Sequence, residues 1–291
     1  MKRVTILRGD RAPTIAIIGQ MRLVQEGIEQ MIDWVRNHRP ECLPDVEEGS
    51  PVRPSDLFPH NATGCSDNEL LVELAGRKCY DSFGLKAGRK SNAEYIANTQ
   101  AGDIPHASIL YHAKISFFFA GISRRVSHEI IRNYVGADRD EEGAPSQEST
   151  RFTHHYGFFI EPPKYTSIRF DYADEEYRVR MQTHFERSMQ AAYDSYLEAV
   201  EAECNAYAKL HGKPPSSIDK KRIYEAASSF LPHQAETSFI WTTNPAAIAK
   251  LVRERDNPAA DLEIQRFAAK LKTISVEAYS SIFPQPWMRI L

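Results

Sequence analysis

The stretch from Ile115 to Ile122, ISFFFAGI, constrains the fold of this chain more than any other. It is the most apolar run in the sequence, yet far shorter than the roughly 20 residues that a membrane-spanning helix needs. A short run of aromatic and β-branched residues reads as a strand, here through AKISFFFAGI. The sequence that follows, SRRVSHEIIRN, changes to helical spacing, with Ser123 placed to cap the helix. A helix start or turn beginning near His106 precedes the strand.

The rest of the chain supplies layers for that strand and helix. RVTILR and TIAIIGQ read as two further strands separated by a Gly/Asp/Pro cluster. From Met21 to His38, apolar residues recur at helical spacing through Leu23, Val24, Ile28, Met31, Ile32 and Val35. Residues 40–67 hold five prolines and many charges, and read as an irregular surface excursion. A helix is expected from about Asp67, with Gly76 near its end. HHYGFFIEPP is a strand stopped by Pro162 and Pro163, and about 174–211 is a long amphipathic helix with Met181, Phe185, Met189, Ala192, Tyr196 and Val200 on one side. DKKRIYEAASSF and about 245–278 are helical, the latter breaking at DNPA. Helices outnumber strands, which places the chain in the α+β class. With 291 residues and 42% hydrophobic content it can bury one large core, so residues 1–291 are read as a single domain.

Composition removes several functions. A net charge of −3 with both signs interspersed offers no field for a nucleic acid or a membrane surface. Cys42, Cys65, Cys79 and Cys204 lie far apart without a CxxC pair, so neither a zinc knuckle nor a disulfide framework is expected. No secretory leader is read in MKRVTILRGDRAP. The expected location is cytoplasmic. No glycine-rich loop joins a strand to a helix, which argues against Rossmann and P-loop sites.

Arg132, Arg151 and Arg255 stand where solvated-surface placement explains them poorly. Arginine's planar fork grips phosphate or carboxylate in bidentate fashion, and Ser149 and Thr150 add donors beside Arg151. Pairing with a neighbouring glutamate such as Glu148 or Glu254 is the competing explanation, and spacing alone leaves both open. The histidines do not have metal-ligand spacing: His106 and His112 lie six residues apart, and the adjacent His154 and His155 point to opposite faces in a strand. No metal is expected. His106 reads as a positioned acid or base, or as a satisfied core histidine. With neither a GxSxG elbow nor a recognisable thiol nucleophile, any hard chemistry falls to a bound cofactor.

The order HASILYHAKISFFFAGISRRVSHEIIRN, SQESTRF, FFIEPP, FLPHQAETSFIWTTN and ERDNPAADLEI resembles the flavin-dependent thymidylate synthases, from about Leu74 to Phe283. The intervals Pro232 to Thr237, Asn244 to Arg255 and Arg255 to the Glu263–Ile264 pair follow that family's pattern. The resemblance implies a mixed sheet core with long helices, assembled as a homotetramer with sites between subunits. It implies FAD as cofactor, with NADPH and methylenetetrahydrofolate as co-substrates, acting on a pyrimidine mononucleotide. By the same resemblance, Ser149, Thr150 and Arg151 surround the nucleotide phosphate, with Glu129 and Gln147 nearby. Arg255 holds the uracil edge, and Arg132 lies where flavin and pyrimidine meet. Catalytic roles are expected for Arg255, Arg132 and His106. Flavin contacts are expected from His106, Ser108, Arg132, Asn133, Tyr134, Asn244 and Lys250.

The departures from that pattern are specific. Asn133 and Tyr134 replace the His and second Arg of an Arg-His-Arg signature, and the loop over 133–148 is longer than usual, with Asp138, Asp140, Glu141 and Glu142. Gln147 replaces a Glu, Glu129 a Gln, Tyr111 a Glu, Cys79 a Ser, Ser228 a phosphate-binding Arg, and Ala246 and Ala259 an Arg and a His. The expected activity is C5 methylation of a uridine mononucleotide, from dUMP to dTMP or, for a divergent member, from UMP to 5-methyl-UMP. The alternative is a flavin- or nucleotide-binding homologue without catalysis, serving a regulatory or structural role.

Overall fold

In the computed structural model, residues 3–8, 13–42, 57–58, 64–83, 90–101, 106–134, 144–163 and 174–283 are described. Strand β3 (Ile115–Ser123) runs between β2 (Thr14–Gln20) and β6 (Glu236–Thr243), and β4 (Ala144–Gln147) lies on the far side of β6. All three pairings are antiparallel, with Phe119 opposite both Ile15 and Phe239, and Phe117 opposite Trp241. Alternation then sends one set of side chains to the same face. Ile15, Ile115, Phe117, Phe119, Phe239 and Trp241 are all buried there. Helices α7 (Pro245–Arg255) and α8 (Leu262–Ala278) complete this core through Ile248, Leu251, Ile264, Phe267 and Leu271. Phe267 lies 5.0 Å from Phe119 between ring centroids.

A second, parallel pair joins β1 (Thr5–Leu7) to β5 (Phe158–Ile160). An isolated antiparallel bridge between Phe159 and Ala235 ties this pair to the residue just before β6. The two strand directions therefore meet at the start of β6, while the four-stranded sheet itself is antiparallel throughout. Helix α5 (Glu175–His211) covers this region with Phe185, Met189, Tyr193 and Tyr196, and α6 (Ser217–Ala227) adds Ala227. Asp174 caps the start of α5, and Gly212, in the left-handed conformation at φ 66°, ends it.

Helices α1 (Gln25–His38) and α2 (Asp67–Cys79) form a third cluster, in which Ile28, Ile32 and Val35 meet Leu70, Leu74 and Phe83. Leu57 and Phe58 are also buried in this cluster, although the sequence around them reads as surface. A capping box between Ser66 and Glu69 starts α2, and the same device between Ser91 and Glu94 starts α3 (Asn92–Gln100). Sequence reasoning assigned no element to α3, β4 or β6. The omission of β6 matters most, because the strand is central. None of the described helices is long and apolar enough to cross a membrane.

Candidate functional site

Helix α4 (Arg124–Tyr134) follows β3 without a loop, and the expected cap is present. Ser123 Oγ accepts from the Val126 N–H at 3.2 Å and donates to Glu263 Oε2 at 2.9 Å. The Ser123 N–H donates to Glu263 Oε1, also at 2.9 Å. A carboxylate from the first turn of α8 thus closes the first turn of α4, a favourable place for negative charge. Burial raises the Glu263 carboxyl pKa, against the lowering effect of the two Ser123 hydrogen bonds and Arg125. Arg125 in turn pairs with Asp261, the cap of α8.

One turn further along α4, Glu129 meets Arg255 at the end of α7, with 3.7 Å between Oε2 and Nη1. Their side chains are 30% and 24% exposed, so the pair is half-sunk between the helices and open on one side. The structure therefore brings together two of the residues expected at the pyrimidine. It also shows that the glutamate facing Arg255 across the helix interface is Glu129. Arg132 lies exposed near the end of α4, and among the described residues neither it nor Arg151 makes an ion pair within 4.0 Å.

Gln147 sits on β4 and reaches across to α4 and β6. Its Nε2 donates to Ser127 Oγ at 2.8 Å and to Thr237 Oγ1 at 3.1 Å. Both hydroxyls are buried, and sequence reasoning identified neither as a partner. The Glu148 N–H donates to the Ser238 carbonyl, which ends the ladder and leaves Ser149 to start a turn. The Ser149 carbonyl accepts from the Phe152 and Thr153 N–H groups and from Thr153 Oγ1. Ser149 and Thr150 are half-buried at this turn and Arg151 is exposed. Phe152 projects between two cations: the Arg151 guanidinium carbon lies 5.9 Å and Lys221 Nζ 4.7 Å from its ring centroid.

Beneath the turn lies an aromatic layer that spacing alone did not disclose. The Tyr196 hydroxyl accepts from the His155 N–H at 3.1 Å and lies 3.2 Å from His154 Nδ1, while the Tyr193 hydroxyl donates to the His155 carbonyl at 3.2 Å. The Gly157 N–H donates to His155 Nδ1 at 3.2 Å, which puts the ring proton on Nε2. Burial first, then His154 and Arg124, push the His155 pKa down to about 4. The signal available in the sequence was the pair Tyr193 and Tyr196, three residues apart on one helix face.

The residues expected at the flavin occupy different environments. His106 and Ser108 lie exposed at a 3-10 turn (Ala107–His112), with His106 Nε2 3.4 Å from the Tyr80 hydroxyl and its backbone held by Thr99 and Gln100. Asn244 is fully buried, and its Oδ1 accepts from the Ala247 N–H at 3.0 Å to cap α7. Lys250 is half-buried on α7. Asn133 and Tyr134 close α4, and their side chains lie outside the described residues, as does the acidic segment Asp138–Glu142. Among the substituted positions, Ala246 is buried, Ala259 is exposed, and the Ser228 hydroxyl donates to the Glu225 carbonyl. Among the described residues no group of three His, Cys, Asp or Glu side chains is placed to hold a metal ion.

The sequence model of the family described as thymidylate synthase complementing protein matches residues 62–279. A flavin-dependent thymidylate synthase of Mycolicibacterium vanbaalenii is 30% identical over 224 residues, covering 76% of this chain and 81% of that protein. One from Corynebacterium aurimucosum is 30% identical, covering 70% of this chain and 74% of its own length. One from Mycobacterium sp. strain KMS is 32% identical, covering 71% and 75%. The matched segment holds β3, α4, β6, α7 and the turn at Ser149, and on that extent of agreement the chain belongs to the flavin-dependent thymidylate synthase family.

Proposed function

We propose that this protein methylates C5 of a uridine mononucleotide, with FAD as cofactor and with NADPH and methylenetetrahydrofolate as co-substrates. The observation that carries the reading is the apposition of Glu129 and Arg255 between α4 and α7 in a chain of this family. An arginine held partly buried between two helices can meet negative charge developing on a pyrimidine ring, an effect that strengthens as water is excluded. Glu129 keeps that guanidinium in place until substrate arrives. Arg151, with the donors of Ser149 and Thr150, is set to take the nucleotide phosphate. FAD, when bound, supplies the hydride that completes the methyl group.

The residues available for FAD fit a group shared between protomers. His106, Ser108 and Arg132 present polar atoms on exposed surface of a single chain, where a second copy could enclose them. Asn244 and Lys250 would support that site from α7, Asn244 by fixing the start of the helix. We infer a homotetramer in which cofactor and nucleotide lie at subunit interfaces. Purified protein should carry bound-flavin absorbance and, with NADPH and methylenetetrahydrofolate, release the C5 hydrogen of dUMP or UMP. Release from UMP but not dUMP would identify a divergent substrate; release from neither, with no flavin bound, would overturn the proposal in favour of a non-catalytic homologue.

A further inference from the structure

A groove opens between β1 and α5, on residues that the candidate site does not use. β1 docks onto the helix through Val4 and Ile6, which pack against the cluster around Met189 and Tyr193. Gln190 fixes the contact: its Oε1 accepts from the Val4 N–H at 3.0 Å and its Nε2 donates to Asp194 Oδ1 at 3.0 Å. Along this seam Arg3, Arg8, Glu186 and Arg187 line a concavity of about 400 Å³ that is open to solvent.

The charges in this groove are unbalanced: three guanidinium groups share it with one carboxylate. Arg8 is engaged, paired with Glu186 and with its Nε 3.8 Å from Oε2 of the fully buried Glu161. Arg3 and Arg187 are exposed, and among the described residues neither has a carboxylate oxygen within 4.0 Å. Water satisfies a lone arginine on a convex surface. In a concavity the fields of two arginines add, because the walls displace part of the water that would screen them. The number of guanidinium forks favours one kind of anion. A carboxylate offers two oxygens, whereas a phosphate monoester offers three, each able to meet an arginine fork. The volume exceeds that of a phosphate group, and Val4 and Ile6 form part of the lining, which leaves room for a small organic body beside the charge.

We propose that the β1–α5 groove binds a small phosphorylated metabolite, with Arg3 and Arg187 as its direct phosphate contacts. Glu186 is a built-in competitor: its carboxylate occupies Arg8 and repels an incoming anion, so it sets the affinity of the site. Because both free arginines are exposed, that affinity is modest and falls with added salt. The groove is separate from the turn at Ser149, and its assignment does not depend on the reaction proposed above.

Titration calorimetry of pyrophosphate into the full-length protein tests the assignment, in an Arg151→Gln background so that the Ser149 turn does not contribute. Pyrophosphate should bind, and more tightly than acetate. Arg3→Gln and Arg187→Gln should each weaken that binding by about 5- to 10-fold, the scale for an exposed charge-assisted contact. Glu186→Gln should tighten it by about 3- to 10-fold, by releasing Arg8 and removing a like charge. Glu198→Gln makes the same charge change at an exposed position about three turns further along α5; it should leave the affinity unchanged, which separates a local site from the net charge of the protein. Absence of pyrophosphate binding, undiminished affinity in Arg187→Gln, or weaker binding in Glu186→Gln would each overturn the site. Equal tightening by Glu186→Gln and Glu198→Gln would reduce the groove to a general field effect and overturn it as well.

Discussion

Lowering the pH should destabilise this fold through His155, and the size of the effect follows from its surroundings. The imidazole packs against Phe159, Tyr193 and Tyr196 at centroid distances of 5.1, 6.0 and 6.4 Å, and its Nδ1 accepts from the Gly157 N–H. Protonation would place a second N–H against that donor and charge a ring that burial has already desolvated. The folded pKa lies at about 4 against an ordinary 6.5. Because the folded value is depressed, the unfolded chain binds the extra proton between those limits, so stability is full above about pH 6.5 and falls as the pH drops towards 4. At pH 5 the linkage relation gives a loss of about 2 kcal/mol relative to pH 7.5, approaching about 3 kcal/mol near pH 4. Urea denaturation of the parent protein and of His155→Gln across that range isolates this contribution from the carboxylates common to both. The variant should lose stability less steeply with acid, by about 2 kcal/mol at pH 5. Equal slopes in the two proteins would refute the reasoning, as would an NMR titration of His155 with a midpoint near 6.5.

Four further outcomes are expected. Ser123→Ala removes a buried hydroxyl donor to the Glu263 carboxylate together with the α4 cap; it should destabilise by about 2 to 4 kcal/mol in denaturant titration. Gly157→Ala meets both a φ of 82° and a Cβ only 2.9 Å from Tyr193 Cε1, for about 2 to 4 kcal/mol by the same measurement. Gln147→Glu should cost about 1 to 3 kcal/mol at neutral pH: Ser127 donates its hydroxyl to the Arg124 carbonyl, so its lone pair needs the amide donor that a carboxylate lacks. Arg255→Ala should lower C5-hydrogen release by about 100- to 1,000-fold, the scale for losing a charge-stabilising donor, while size-exclusion chromatography shows an unchanged assembly.

The local grammar of the chain was readable where periodicity and chemistry coincide. The change of period at Ser123 marks both the end of β3 and the cap of α4, and both are present as read. The break of 245–278 falls at DNPA, where α7 ends at Arg255 and Asp261 caps the start of α8. β6 escaped notice although Thr237, Phe239, Trp241 and Thr243 alternate inward. Its outward positions include Ile240, 40% exposed, which blurs the contrast on which a period of two depends. Leu57 and Phe58 were lost among prolines and charges. At the candidate site, the partnerships between residues were not legible. Glu263 lies 140 residues from Ser123 in the chain and Gln147 lies 90 from Thr237. Such pairings are set by the register of a sheet that no local window contains.

That register has a consequence for how the chain can vary. β6 opens beside the Arg124 backbone contact at Ala235 and closes at Asn244, from which α7 carries Arg255 forward. Eight residues therefore act as a ruler between the two ends of the candidate site. Inserting or deleting a single residue within it would turn Phe239 and Trp241 out of the core and, in the same stroke, shift one end of the site relative to the other. The loops around this strand can lengthen, but the strand itself is held to its present length.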